Sequence, residues 1–321
     1  MIQISVVIPL YNEEESLPEL VNWISRVMIE HGLSYELVMI DDGSNDGSWE
    51  QIQQMSVDFP IKGLKFNRNY GKSAALNVGF KHAEGEVVIT MDADLQDSPD
   101  EIPSLYAMIK EGYHLVSGWK KTRHDPISKT IPSKFFNRIT RILSGIKLHD
   151  FNCGLKAYDQ KLVKTLEVYG EMHRYIPVIA KRNGFTKIGE KVVEHRARKY
   201  GTTKFGLERF INGFLDLISI SFVSRYKKRP MHFFGTLGTL SFLIGFIFVG
   251  WISWQKIHAI YISKSNVYRD VVDQPLFFLA IAAIIIGVQL FLAGFLGEMM
   301  TMNSQNKNDY ILEDHVGLKK K

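Results

Sequence analysis

Two carboxylates and an amide stand at alternate positions in Asp92-Ala93-Asp94-Leu95-Gln96, directly after the strand-like run Glu86–Met91. In an extended chain positions i, i+2 and i+4 point to one side. Asp92, Asp94 and Gln96 would then present their oxygens together. Hard divalent cations such as Mg²⁺ or Mn²⁺ take oxygen ligands of this kind, completed by water and substrate phosphates. Asp and Gln after a strand also make turns and caps, and Asp97-Ser98-Pro99 reads as an ordinary helix start. Two adjacent carboxylates repel unless a cation lies between them, which favours a binding role for Asp92 and Asp94.

Two other clusters follow strand-like runs. Asp41-Asp42-Gly43-Ser44 can form a turn and cap for a helix starting near Ser48, with Ser44, Asn45 and Asp46 in that role. A carboxylate there can also accept hydrogen bonds from a nucleobase or ribose. In Pro9-Leu10-Tyr11-Asn12-Glu13, Asn12 and Glu15 have the spacing of a capping box, while Tyr11 could face a base and Glu13 accept from it. Gly71-Lys72-Ser73 is not a P-loop, because Phe66 occupies the position of the required earlier glycine. GxSxG, HExxH and CxxC patterns are absent, so hydrolase triads and zinc sites have no support.

These clusters need a frame that brings them to one edge. Ile4–Leu10, Glu36–Ile40, Gly63–Phe66, Glu86–Met91 and Leu115–Ser117 read as strands, and Glu14–His31, Ser48–Asp58, Ser73–Ala83 and Pro99–Glu111 have helical spacing. Near-continuous apolar strands alternating with helices predict a doubly wound, mostly parallel α/β sheet. In such sheets ligands bind beyond the carboxyl ends of the strands, where all three clusters fall.

The second half of the 321-residue chain differs from the first. Pro230 to Gln255 and Gln274 to Gly297 contain no Lys, Arg, Asp or Glu, and each exceeds the roughly 20 residues needed to cross hydrocarbon. Trp251, Trp254 and Tyr261 suit the far interface. From Phe205 to Val223, Leu207, Phe210, Ile211, Phe214, Leu217, Ile218 and Phe222 recur at helical spacing, which predicts an amphipathic interfacial helix. Arg196, Arg198, Lys199, Lys204, Arg209, Arg225, Lys227, Lys228 and Arg229 precede the first uncharged stretch. The positive-inside rule then puts both termini in the cytoplasm. The net charge is only +5, too modest for a nucleic-acid footprint. Cys153 is the sole cysteine, so no internal disulfide forms, and a small buried apolar role is expected for it. No signal peptide is visible. The expected organisation is a catalytic domain over 1–204, a juxtamembrane segment over 205–229, two membrane helices over 230–298 and a polar tail over 299–321.

Pro9-Leu10-Tyr11-Asn12-Glu13, Asp41-Asp42-Gly43-Ser44, Asn69-Tyr70-Gly71-Lys72 and Asp92 to Gln96, in this order and spacing, resemble the family 2 inverting glycosyltransferases. The polyprenyl-phosphate branch is the nearer likeness. It continues through Arg123-His124-Asp125-Pro126, Lys129 to Ser133, Cys153-Gly154-Leu155-Lys156, Arg174-Tyr175-Ile176-Pro177 and His195 to Lys204, then into the two spans.

The resemblance implies a GT-A-type domain that takes a UDP- or GDP-linked sugar. Pro9, Tyr11, Glu13, Ile40 and Asp42 would line the nucleoside pocket, with Lys72 also on the donor. Asp92, Ala93 and Asp94 would sit by the diphosphate, and Asp94 and Gln96 would hold Mg²⁺ or Mn²⁺. Lys129, Ser133, Arg198 and Lys204 would meet the acceptor phosphate, with Asp92, Asp94, Arg198 and Lys204 the catalytic set. Lys120 and Lys129 stand where relatives often have arginines, and lysine cannot grip phosphate bidentately. The expected reaction is inverting transfer of one sugar to polyprenyl (undecaprenyl) phosphate at the cytoplasmic face of a bacterial inner membrane. A homo-oligomer, such as a tetramer, is expected, and the product would serve envelope or protein glycosylation. A non-catalytic nucleotide-sugar-binding membrane scaffold is the rival reading. A processive polysaccharide synthase is a weaker one, since the Arg-Trp pair of that group is missing.

Overall fold

The structure is a computed structural model that describes residues 2–121, 137–196, 199, 230–262 and 269–302, except for the side chains of 301 and 302. The chain divides into two compact units, Met1–Ser221 and Phe222–Lys321. The predicted amphipathic helix and most of the basic juxtamembrane cluster lie outside the described residues.

The first unit is built on a seven-stranded sheet. In chain order its elements are β1 (Ile4–Leu10), α1 (Leu17–Glu30), β2 (Tyr35–Asp41), α2 (Ser48–Met55), β3 (Ile61–Lys65), α3 (Lys72–His82), β4 (Val87–Thr90), α4 (Ile102–Lys110) and β5 (Leu115–Trp119). They continue with β6 (Lys156–Asp159), α5 (Gln160–Val163), α6 (Ile176–Arg182) and β7 (Ile188–Val192). The strand order is β3-β2-β1-β4-β6-β5-β7. β1 pairs in parallel with β2 and β4, and β2 with β3. Only β6 runs against its neighbours β4 and β5.

Five strands and four helices fall where the sequence puts them. β6 and β7 were not foreseen. Lys156–Asp159 is short and begins and ends on charged residues, and Ile188–Val192 is apolar at its two ends alone, around Gly, Glu and Lys, and is mostly half-buried. Neither carries the apolar run that marks a doubly covered strand. β1 and β4 have it, because their side chains enter two cores. On one face Ile4, Val6 and Ile8 pack with Leu17, Leu20, Ile24 and Met28 of α1. On the other, Val7, Val38 and Ile40 pack with Ala75, Leu76 and Phe80 of α3.

The second unit contains α7 (Pro230–Ile257) and α8 (Pro275–Met302). Both are long and apolar enough to cross a membrane, and most of their surface is exposed, unlike a soluble core helix. Glycines fix their register. A Cβ at Gly238 would stand 2.6 Å from the Gly287 carbonyl oxygen, and one at Gly245 would stand 2.6 Å from that of Ala280. The pairing is therefore antiparallel, with backbones in contact along small residues. Ser241 Oγ donates to the Ala283 carbonyl at 2.8 Å, and Glu298 accepts the Met231 N–H at 3.3 Å.

Candidate active site

Each loop at the carboxyl edge of the sheet is tied to the next by a side chain that would otherwise be free to bind. Pro9 lies opposite Ile40 in the β1–β2 register, and the Asp42 N–H donates to the Leu10 carbonyl at 2.9 Å. Asn12 does not form the predicted capping box. Its backbone is left-handed, with φ 56°. Its N–H donates to Ser44 Oγ at 2.9 Å, and its Oδ1 accepts the Asn45 N–H at 2.9 Å. Ser16 stands at the N-cap of α1 instead. Asn12 thus joins two loops, a long-range role that local spacing cannot show. Glu13 donates its N–H to Ser48 Oγ at 3.0 Å and accepts from Ser16 Oγ at 3.3 Å. Asp46 Oδ1 accepts the Ser48 N–H at 3.1 Å, in keeping with its predicted turn role.

Asp42 binds the β3–α3 loop with both oxygens, Oδ1 taking the Tyr70 N–H at 2.7 Å and Oδ2 the Gly71 N–H at 2.9 Å. Burial still raises its pKa, and the neighbouring Asp41 charge adds to the rise. Gly43 lets this loop approach. Its φ is +74°, and a Cβ there would lie 2.5 Å from the Arg68 carbonyl carbon. Of the other predicted nucleoside residues, Tyr11 is half-buried at the mouth of β1, and Ile40 is fully buried in the α3-side core.

The cation expected between Asp92 and Asp94 is supplied in part by the protein. Lys72, the first residue of α3, forms a close ion pair with Asp92. Burial alone would raise the Asp92 pKa, but Lys72 overrides it, with help from Lys120 and His173, and brings it down to about 2. Next to Lys72, Ser73 Oγ lies 3.0 Å from His173 Nδ1. Gly154 packs flat on Asp92, where a Cβ would stand 2.5 Å from its Oδ2.

The segment after Asp92 is a turn and not the expected extended chain. Asp94 Oδ1 accepts the Gln96 N–H at 3.2 Å, and Leu95 is left-handed with φ 60°. That conformation costs an L-residue about 1–2 kcal/mol, so the flanks must hold it. Asp97 is one such anchor. It is buried, its Oδ1 lies 2.7 Å from Lys120 Nζ, and it forms an antiparallel bridge with His195. Burial would lower the Lys120 pKa, and Asp97 raises it well above the usual lysine range. Lys120 is therefore a structural counter-charge. Nothing in the sequence marked Asp97 as more than part of a helix start, because its partner is 23 residues away on β5's exit.

Among the described residues no group of three His, Cys, Asp or Glu forms a cation cage. The donor set fits a divalent ion that arrives with its substrate. Mg²⁺ and its kin commonly use one or two carboxylates together with phosphate oxygens and water. Asp94 and Gln96, on one tight turn, would supply that share. Arg174 pairs with Glu171 at 3.1 Å. Cys153 is buried as expected, and burial pushes its thiol up to about 12, away from thiolate chemistry. Lys129, Ser133, Arg198 and Lys204 lie outside the described residues.

Residues 5–167 match the family described as Glycosyl transferase family 2. The chain is 33% identical to the dodecaprenyl-phosphate galacturonate synthase of Rhizobium johnstonii over 304 residues, 93% of this chain and 88% of that one. This chain belongs to glycosyl transferase family 2. It is a glycosyltransferase, with the GT-A-type α/β domain of that family and an apolar helix pair after it. The undecaprenyl-phosphate 4-deoxy-4-formamido-L-arabinose transferase of Aeromonas hydrophila is 36% identical over 248 residues, 76% of this chain and 74% of its own. Among solved structures, mannosyl-3-phosphoglycerate synthase from Rubrobacter xylanophilus superposes with a TM-score of 0.57 at 15% identity, covering 69% of this chain and 74% of that one. Glucosyl-3-phosphoglycerate synthase from Mycobacterium tuberculosis, crystallised with Mn²⁺, UDP-glucose and phosphoglyceric acid, gives 0.54 at 19%, covering 69% and 79%. At such identities the structures show the shared fold of the family 2 domain.

Proposed function

We propose that this glycosyltransferase moves one sugar from a nucleotide diphosphate to a polyprenyl phosphate, with inversion at the anomeric carbon. The observation that carries the reading is the similarity to a dodecaprenyl-phosphate sugar transferase over 93% of the chain, through the helix pair as well as the catalytic domain. Pro9, Tyr11, Glu13 and Asp42 surround the nucleoside, with Ile40 packed behind them in the core and Asp42 also fixing the loop at Tyr70 and Gly71. Asp92 and Ala93 flank the diphosphate, and Lys72 reaches the donor through Asp92. Asp94 and Gln96 hold Mg²⁺ or Mn²⁺, which when bound neutralises charge growing on the leaving diphosphate.

The nucleophile is a phosphate oxygen. A phosphomonoester has a second pKa of about 6, so it is already largely anionic near neutrality. A strong general base is therefore unnecessary. Lys129, Ser133, Arg198 and Lys204 orient the acceptor phosphate, so that catalysis rests on in-line placement and electrostatics. We place the catalytic domain over 1–204 and the juxtamembrane segment over 205–229. Both termini are cytoplasmic, so the sugar is transferred on the cytoplasmic side, and the chain works as a homo-oligomer.

The test is transfer of label from a panel of UDP- and GDP-sugars to undecaprenyl phosphate by the full chain in detergent, with and without Mn²⁺ or Mg²⁺. The expected result is one labelled lipid, lost with chelator and with Asp94→Asn. Nucleotide binding without transfer from any donor would overturn the enzyme reading in favour of a non-catalytic membrane subunit.

A further inference from the structure

Trp23 packs at the margin of the core and carries polar partners as well. The stripe of α1 that faces the sheet is Leu17, Leu20, Val21, Ile24, Val27 and Met28, and Trp23 stands on its flank, half-buried. The ring packs against the α1-side core, and its other contacts are polar and charged. The Arg196 guanidinium lies over its ring, 4.3 Å from the centroid, and its indole Nε1–H donates to Asp100 Oδ1 at 3.0 Å. Arg26 Nη2 approaches the same oxygen at 3.8 Å.

Both partners border the turn that carries Asp94 and Gln96. The Arg196 N–H donates to the Gln96 carbonyl at 2.9 Å, next to the bridge between His195 and Asp97. Asp100 lies in the turn of 3₁₀ helix Pro99–Glu101 that follows. Just beyond, Lys199 Nζ meets Glu19 Oε2 of α1 at 2.6 Å. The segment from Gln96 to Asp100 is therefore held to α1 at both ends, through Arg196 at one and directly by the Trp23 indole at the other. An exposed ion pair alone contributes little. A cation–π stack and an indole hydrogen bond on one ring are geometrically stricter. A left-handed Leu95 persists only where the surroundings over-determine it.

We propose that Trp23 and Arg196 are positioning residues. They brace the Asp94–Gln96 turn from the outer side of α1 and so set how tightly the site holds a divalent cation with a nucleoside diphosphate, while touching neither. The proposal rests on the cation-assisted transfer reading. It adds Trp23, which lies off the carboxyl-edge loops and outside every motif that suggested the function, and it gives Arg196, within the His195 to Lys204 stretch, a role that does not touch phosphate.

The experiment measures Mn²⁺ binding to the full chain in detergent by electron paramagnetic resonance, with UDP and with GDP present. Trp23→Ala, Trp23→Phe, Arg196→Gln and Arg196→Lys are compared with wild type, and folding is monitored by near-UV circular dichroism. In Arg196→Gln and Trp23→Ala the cation should bind about 5-fold more weakly, the size of one lost cation–π contact. The donor KM should rise while the polyprenyl phosphate KM stays put. Trp23→Phe and Arg196→Lys, which keep a ring and a cation, should recover part of the loss. Should Trp23→Ala misfold, Arg196→Gln decides alone, since that side chain is 46% exposed. Folded variants with wild-type Mn²⁺ affinity would overturn the bracing and leave the transfer reading intact. A wild-type chain that binds no Mn²⁺ with either nucleotide would remove the cation reading, and the bracing would fall with it.

Discussion

At the scale of single residues, the site is a set of charges matched before any substrate arrives. Asp92 shows the consequence for pH. Its carboxyl titrates at about 2 in the folded chain against an ordinary 3.8, because Lys72 outweighs the burial that would raise it. A depressed carboxylate pKa means that the unfolded chain binds the proton more readily. The stabilisation is thus complete above about pH 4 and is lost as pH falls towards 2. Thermal unfolding of the full chain in detergent should show wild type losing more stability than Asp92→Asn between pH 4 and pH 2. Equal losses would mean that Lys72 and Asp92 are not coupled in solution. Gly154 makes a second case. A methyl there would collide with the Asp92 carboxylate at 2.5–2.8 Å, so Gly154→Ala should displace Asp92 rather than unfold the sheet. We expect kcat to drop by about tenfold or more for such a misplacement, with an unchanged far-UV spectrum. Wild-type turnover would show that Asp92 need not stand where the fold puts it.

At the scale of elements, the helix pair depends on residues that carry no chemistry. A Cβ at Gly287 would lie 2.6 Å from the Phe242 nitrogen and 2.7 Å from the Gly238 oxygen, both backbone atoms that cannot step aside. At Gly250, on the same pair, a Cβ would meet nothing within 4 Å. Gly287→Leu should destabilise the chain by about 1–3 kcal/mol, the usual cost of overpacking, read as a lower thermal midpoint in detergent. Gly250→Leu should leave the midpoint within experimental scatter. If both behave alike, the close packing of α7 on α8 is not what holds the second unit together. In the first unit the elements divide by how much local pattern they carry. β1, β2 and β4 have continuous apolar runs and stand out in the sequence, whereas β6 and β7 are short, carry no apolar run and are strands only because β5 lies between them.

At the scale of the whole molecule, the asymmetry of charge predicts which way the chain lies. Nine basic residues from Arg196 to Arg229 precede the first span, while in the connector Lys256, Lys264 and Arg269 are offset by Asp270 and Asp273. The native cysteine is buried and its thiol stays protonated, so a second cysteine reports alone. Ser263→Cys, in the connector, should react with a membrane-impermeant maleimide in intact cells. Ser304→Cys, beyond the second span, should react only after the membrane is opened. The reverse pattern would put the basic segment, and the catalytic domain with it, on the other side.

The sequence by itself determined the strand-helix alternation, the sheet edge where the Asp- and Asn-bearing loops emerge, and the two uncharged spans. Each is written in local periodicity or in the residues next to one another. Only the tertiary structure decided what the charges of the site do. Lys72 meets Asp92 across 20 residues, Lys120 meets Asp97 across 23, and Arg196 lies on Trp23 across 173, pairings that no spacing rule connects. It also turned the expected extended run at Asp92 to Gln96 into a tight turn, and Asn12 from a helix cap into a tie between loops. The reason is physical. Helix and strand patterns follow from burial along one segment, whereas a buried charge takes its partner from whichever loop the fold delivers within a few ångströms.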